Sequence, residues 1–227
     1  MGKNFAGGNP KLVPQYALPL RHLKYRTAPR FLSMSAARPS LRLFLREMAR
    51  NPLQIGAIWP SSPALGKAMA HWLPSDSEAP ILELGPGTGI VTAELIAAGL
   101  PEDRLVAVEK SESLASYLSA RYPRSRIISG DALELDRLFR GERFGAIISS
   151  LPLKVFSPDQ VEILSAQIES LLLPGAPWVQ FSYHIVNGHP PTKTFRSVDS
   201  RIVWSNFPPA KVSVYHPHTP GGCLSEN

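Results

Sequence analysis

Between residues 81 and 215 the apolar positions change period repeatedly, and each change marks an element. Short solid apolar runs bounded by Gly, Pro, Ser or Asp read as strands buried on both faces, and runs spaced at 3.6 residues read as helices. A strand opens at 81 and ends in a glycine turn over 85–89, and a helix follows at 90–99. A second strand runs from 104 to 108 and ends on Glu109. Then come a helix at 112–121, a strand at 125–128, a strand at 144–149, a helix at 158–172 and a strand at 177–182. Ser157-Pro158-Asp159-Gln160 is a helix start with a Ser cap, a Pro in the first turn and a Gln able to complete a capping box. Two closing strands at 201–205 and 211–215 read as a hairpin around Phe207-Pro208-Pro209. Alternating strands and helices with right-handed crossovers give an α/β, doubly wound sheet, and the hairpin makes the last strand antiparallel. No internal repeat is present.

Upstream, Ser61 or Ser62 can cap a helix over 63–73, with Pro63 in its first turn. Residues 51–63 break an earlier helix over 40–50. There Leu41, Phe44, Leu45 and Met48 fall at i, i+3, i+4 and i+7, and Arg42, Arg46 and Arg50 lie off that stripe. Such a helix packs on the domain or lies in a membrane interface with its Arg residues toward anionic headgroups. Residues 1–39 contain no acid and no clean period. They read as a basic, largely irregular arm, as an organelle presequence, or as an extension upstream of a start at Met34. The division expected is 1–39 arm, 40–74 amphipathic and cofactor-covering helices, 75–216 catalytic domain and 217–227 disordered tail.

Charge sharpens this division. The net charge is +6, but residues 1–50 carry ten Lys or Arg and one acid, Glu47. The remainder carries fourteen Lys or Arg and seventeen acids. The body is therefore mildly acidic, and the basicity sits in one arm suited to anionic lipid, nucleic acid or targeting. A single cysteine, Cys223, excludes an intramolecular disulfide framework and a cysteine zinc site; no metal is expected. No apolar run reaches the ~18–20 residues that span a bilayer.

The chemistry gathers at the carboxyl ends of the strands. Glu83-Leu84-Gly85-Pro86-Gly87-Thr88-Gly89 lets backbone N–H groups approach a ligand at a helix N-terminus. A Walker loop needs Gly-Lys-Ser/Thr and there is no Lys; a dinucleotide fingerprint needs Gly at position 90, which is Ile. Glu109, about 20 residues on at the tip of the second strand, is placed to bind ribose hydroxyls. Gly130-Asp131-Ala132 follows the third strand, with Asp131 placed for an adenine amino group. The Ser61/Ser62 helix start can present hydroxyls and N–H groups to a carboxylate. Ser149-Ser150-Leu151-Pro152-Leu153 follows the fourth strand, and Tyr183-His184 the fifth.

In order and spacing these motifs resemble the S-adenosylmethionine (SAM) frame of class I methyltransferases. From Leu43 to about Pro191 the chain is similar to the soluble bacterial phospholipid N-methyltransferases, on three features. These are the helix before Ile55-Gly56-Ala57-Ile58-Trp59-Pro60-Ser61-Ser62, the Ser149–Leu153 loop, and Gln180-Phe181-Ser182-Tyr183. The resemblance implies a Rossmann-like domain with a mostly parallel seven-stranded sheet, an antiparallel last strand and an N-terminal amphipathic helix. It implies a SAM site of Ser61, Ser62, Glu83, Gly85, Gly87, Gly89, Glu109, Lys110, Gly130, Asp131, Ala132 and Ser149, with S-adenosyl-L-homocysteine as product. It also implies methylation of phosphatidylethanolamine in up to three steps, ending at phosphatidylcholine. The enzyme would be cytoplasmic and held peripherally to the anionic inner face of the cell membrane through Leu41, Arg42, Phe44, Leu45, Arg46 and Met48. No nucleic acid or obligate protein partner is expected.

A related family, the ribosomal RNA adenine dimethyltransferases, shares fold and motif order, but its loop typically reads Asn-Leu-Pro-Tyr. Here Ser150-Leu151-Pro152-Leu153 supplies neither amide nor aromatic platform, which counts against a flat nucleobase. The acceptor amine must lose a proton before it attacks; Tyr183, Ser150 and His184 are the candidate acceptors or orienters. Trp59, Leu151, Pro152 and Phe181 are candidate walls of the acceptor pocket, or core residues. A small-molecule or protein N-methyltransferase, or a SAM-binding membrane adaptor without turnover, are the other classes.

Overall fold

A computed structural model describes residues 61–75, 77–183 and 191–218. Seven strands form the sheet, and the central ones are short and apolar on both faces because helices cover the sheet on both sides there. The seven are β1 (Ile81–Leu84), β2 (Leu105–Glu109), β3 (Arg126–Ser129), β4 (Ala146–Ser149), β5 (Trp178–Ser182), β6 (Phe195–Val203) and β7 (Ala210–Pro217). The helices are α1 (Pro63–Ala70), α2 (Ile90–Ala97), α3 (Glu112–Arg121), α4 (Leu135–Leu138) and α5 (Pro158–Leu171). One-turn 3₁₀ helices sit at Glu102–Arg104, Ala132–Glu134 and Leu153–Val155.

The sheet order is β3-β2-β1-β4-β5-β7-β6. β1 to β5 pair in parallel, and β7 is inserted antiparallel between β5 and β6. Two core layers result. Ile81, Ile148, Val179, Phe181, Val212 and Val214 pack under α1 and α2 with Leu65, Met69, Val91 and Leu95. Leu82, Leu84, Ile147 and Trp178 face the other way, against Leu164, Ile168, Phe139 and Phe144. Alternation along β1 therefore turns the Glu83 side chain toward the same layer as Ile81.

Local chemistry sets the ends. Ser62 caps α1, its Oγ accepting from the Leu65 N–H at 3.2 Å. α1 stops at Ala70, short of the expected 73, because Pro74 disfavours helix at Leu73. The Ser157–Gln160 capping box forms in full at the start of α5. β4 begins at Ala146 rather than 144; Phe144 makes only an isolated bridge to Leu172. β6 begins at Phe195, well before the expected 201, because it is an edge strand whose 196–201 stretch is exposed and so lacks apolar alternation. β7 runs through Pro217, one residue into the tail expected over 217–227. The 1–39 arm, the 40–50 helix and residues 219–227 lie outside the described residues.

Candidate active site

Three positive-φ glycines shape the turn after β1: Gly85 at 66°, Gly87 at 58° and Gly89 at 77°. Added Cβ atoms would meet very different surroundings. At Gly85 a Cβ would lie 2.6 Å from Leu151 Cδ2, and at Gly89 2.6 Å from Leu118 Cδ2. At Gly87 it would meet nothing within 4 Å. The outer glycines thus let the turn pack, and the middle one leaves an open cradle. α2 begins at Gly89 with no side-chain cap, so its first-turn N–H groups and dipole point into this cradle.

Glu109, 8% exposed, anchors the turn. Its Oε2 accepts from the Gly87 N–H and its Oε1 from the Ser111 N–H, both at 2.9 Å. A carboxylate oxygen accepts more than one hydrogen bond, so a carboxylate fixed in this way is a suitable acceptor for ligand hydroxyls. On the next strand, Asp131 caps the Ala132–Glu134 turn through Oδ1 and pairs with Lys110 Nζ at 2.8 Å through Oδ2. Burial raises its pKa, but Lys110 and the Leu133 N–H outweigh it and hold the carboxyl below the usual range. The Gly130 N–H donates to the Glu109 carbonyl, and Ala132 is buried in the core.

Glu83 lies beneath the cradle, fully buried, and accepts from Thr92 Oγ1 at 2.7 Å through Oε2. Its Oε1 has no partner among the described residues. Burial pushes its pKa up to about 8, against the Thr92 hydrogen bond and aided by the Glu109 charge. The carboxyl is therefore protonated at neutral pH. Its favourable contribution is complete below the ordinary 4.5 and is lost as pH rises through about 8. Glu83→Gln mimics the neutral acid. Between about pH 6 and about pH 9 the ligand-free wild type is expected to lose roughly 2–3 kcal/mol more stability than the variant in denaturant melts. Parallel pH profiles would show that Glu83 is ionised throughout.

The loop after β4 leans on this turn. The Ser150 N–H donates to the Leu84 carbonyl at 2.9 Å, and the Leu151 N–H to Ser149 Oγ at 3.4 Å. Ser150 Oγ is buried without a partner among the described residues. From β5, Gln180 Nε2 donates to the carbonyls of Leu151 and Phe181 at 2.8 and 2.7 Å. Pro152 leads into the Leu153–Val155 turn. Phe181 is in the α1-side core, and its ring meets the Tyr183 ring edge-on at 5.3 Å. Tyr183 is hydrogen-bonded to Asn206, and burial, opposed by that bond, keeps its hydroxyl protonated above the usual phenol range. Asn206 Oδ1 also accepts from the Ser62 N–H at 3.0 Å.

The fold thus gathers Glu83, the three glycines, Glu109, Lys110, Asp131, Ser149, Ser150 and Leu151 at one sheet edge, and Asn206 links Ser62 to Tyr183. Ser61 lies half-buried just ahead of Ser62, whose hydroxyl and N–H are both engaged within the protein. Trp59 and His184 lie outside the described residues. Sequence reasoning missed Thr92, Asn206 and the tie made by Gln180. Thr92 and Gln180 are polar residues inside apolar stretches, which is a readable signal. Asn206 gives none, because its partners are remote in the chain.

Residues 81–175 match the family described as "Methyltransferase domain". The chain is similar to the ornithine lipid N-methyltransferase of Singulisphaera acidiphila, 25% identical over 146 residues, covering 62% of this chain and 76% of that one. It is also similar to ribosomal RNA small subunit methyltransferase A of Rhodopseudomonas palustris, 36% identical over 106 residues, covering 44% of this chain and only 34% of that protein. Among solved structures, the N-methyltransferase NodS of Bradyrhizobium japonicum, in complex with S-adenosyl-L-homocysteine, shares the fold. Its TM-score is 0.57 at 16% identity, over 79% of this chain and 99% of NodS.

Proposed function

We propose that this chain, a class I SAM-dependent methyltransferase related to the ribosomal RNA dimethyltransferases, N-methylates a phospholipid amine. The substrates are phosphatidylethanolamine and its methylated intermediates, the end product is phosphatidylcholine, and the site of action is an anionic membrane surface. The observation that carries the reading is the loop after β4. It offers a buried hydroxyl, Ser150, and an aliphatic side chain, Leu153, at the two positions where an adenine-methylating loop has an amide and an aromatic ring. The extent of similarity points the same way. The match to the lipid N-methyltransferase covers 76% of that protein, whereas the match to the RNA enzyme covers 34% of its length.

The residues present fit SAM. The open cradle at Gly87 would admit a ligand backbone-close, and Glu109, fixed at that turn, would offer its carboxylate to ribose hydroxyls and its charge to a cationic ligand. SAM supplies a methyl group on a sulfonium, already activated for displacement. The chain's own residues then position and desolvate the acceptor. Tyr183, kept as a neutral phenol, orients the amine through hydrogen bonds rather than taking its proton as a phenolate. Ser150 Oγ accepts from the amine. Its proton leaves to water or to His184. The 40–50 segment, with Leu41, Phe44, Leu45, Met48, Arg42 and Arg46, holds the enzyme at the inner face of the cell membrane.

The second reading is adenine N6-dimethylation of ribosomal RNA, favoured by the 36% identity with the RNA enzyme over their shared region. Transfer from labelled SAM separates the two. The acceptors are vesicles of phosphatidylethanolamine, with and without anionic lipid, vesicles containing an ornithine lipid, and small-subunit ribosomal RNA. Label is expected in methylated phosphatidylethanolamine and to rise with anionic lipid. Label only in the ornithine lipid would change the headgroup, and label only in RNA would overturn the lipid reading.

A further inference from the structure

The turn between β6 and β7 carries two largely exposed aromatic side chains, Trp204 at 69% and Phe207 at 76% exposure. Scattered exposed apolar residues need no explanation, but two large rings on one short turn do. Their position gives them meaning. β7 is antiparallel to β5 and β6 antiparallel to β7, so β6 runs parallel to β5. The turn therefore lies at the carboxyl edge of the sheet, with the cradle and the Ser149–Leu153 loop.

It is also fixed to the site. Asn206, 2% exposed, sits between the two rings in sequence. It donates to the Pro208 carbonyl, accepts from the Ser62 N–H and is hydrogen-bonded to Tyr183. The edge is divided electrostatically. Glu109 and Asp131 lie at the end of β2 and in the connection after β3. Residues 200–218 contain Arg201 and Lys211 and no acid, and 145–158 contain Lys154 and no acid. Val155, beside Lys154, is 48% exposed at the same edge.

We infer that this turn inserts into the headgroup layer of a bilayer containing anionic phospholipid and so seats the mouth of the active site on the membrane. Trp and Phe favour that boundary, and the neighbouring cations complement its charge. Three cations on a mildly acidic body are a poor match for a nucleic-acid backbone, which is held by many more. The inference rests on the lipid reading above and adds a contact surface separate from the 40–50 segment.

The test uses the full chain and vesicles of phosphatidylethanolamine with phosphatidylglycerol, followed by co-flotation. The Trp204→Ser/Phe207→Ser double variant is expected to partition ~10-fold more weakly, in keeping with the loss of two interfacial aromatics. Its SAM affinity and its turnover of a short-chain, monomeric phosphatidylethanolamine should stay at the wild-type level, because neither ring belongs to the site. Equal partition of variant and wild type would overturn the inference while leaving the lipid reading intact. So would loss of RNA binding instead of vesicle binding. If the wild type binds SAM but neither floats with vesicles nor methylates lipid, the functional reading itself fails.

Discussion

Glu109→Ala is expected to fold and to bind SAM at least ~100-fold more weakly by calorimetry, since charged hydrogen bonds contribute about 1.5–3 kcal/mol each. The side chain has two tasks. It fixes the Gly87 and Ser111 N–H groups at 2.9 Å, and in the proposed reading it also accepts from the ribose hydroxyls of SAM. Alanine removes both. Glu109→Gln should also lose affinity, because its NH₂ group would face one of those two N–H donors. Wild-type affinity in both variants would place the ribose contact elsewhere.

Gly87→Ala is the second large effect, and it should separate binding from stability. The residue sits at φ 58°, where an L side chain costs about 1–2 kcal/mol, so a modest fall in melting temperature is expected. The new Cβ meets no protein atom but fills the cradle, so SAM affinity should fall ~10-fold or more for about 1.4 kcal/mol of lost contact. Gly85→Ala and Gly89→Ala should behave differently. Their Cβ atoms strike Leu151 and Leu118 at 2.6 Å, so the larger loss is of packing and stability. A set of three alanine variants that lose stability and affinity in the same proportion would dismiss the cradle.

Most of the fold was legible because its central strands are buried on both faces and its helices carry explicit starts. Ser62 and Ser157 cap where their sequence contexts predict, and Glu109 stands at the tip of β2 beside the glycine turn. What was illegible has a common cause. β6 is an exposed edge strand, so the Arg196–Ser200 stretch shows no alternation, and α4 is a single turn, too short to have a period. In the site, residue identities were readable but their states were not. That Glu83 holds a proton depends on complete burial and on Thr92, and the bridge from Ser62 through Asn206 to Tyr183 exists only once the last hairpin has closed.

The insertion of β7 between β5 and β6 has a consequence for synthesis on the ribosome. The glycine turn, Glu109 and the loop after β4 emerge long before residues 210–217, yet β5 keeps one open edge and β6 has no neighbour until those residues arrive. The nascent chain therefore carries the open edge of an apolar strand, Trp178–Ser182, through the whole interval in which the rest of the sheet is available to pair. A single late segment completes the sheet, and production of folded enzyme should depend on chaperone supply and elongation rate over the final stretch more than on anything in the cofactor frame.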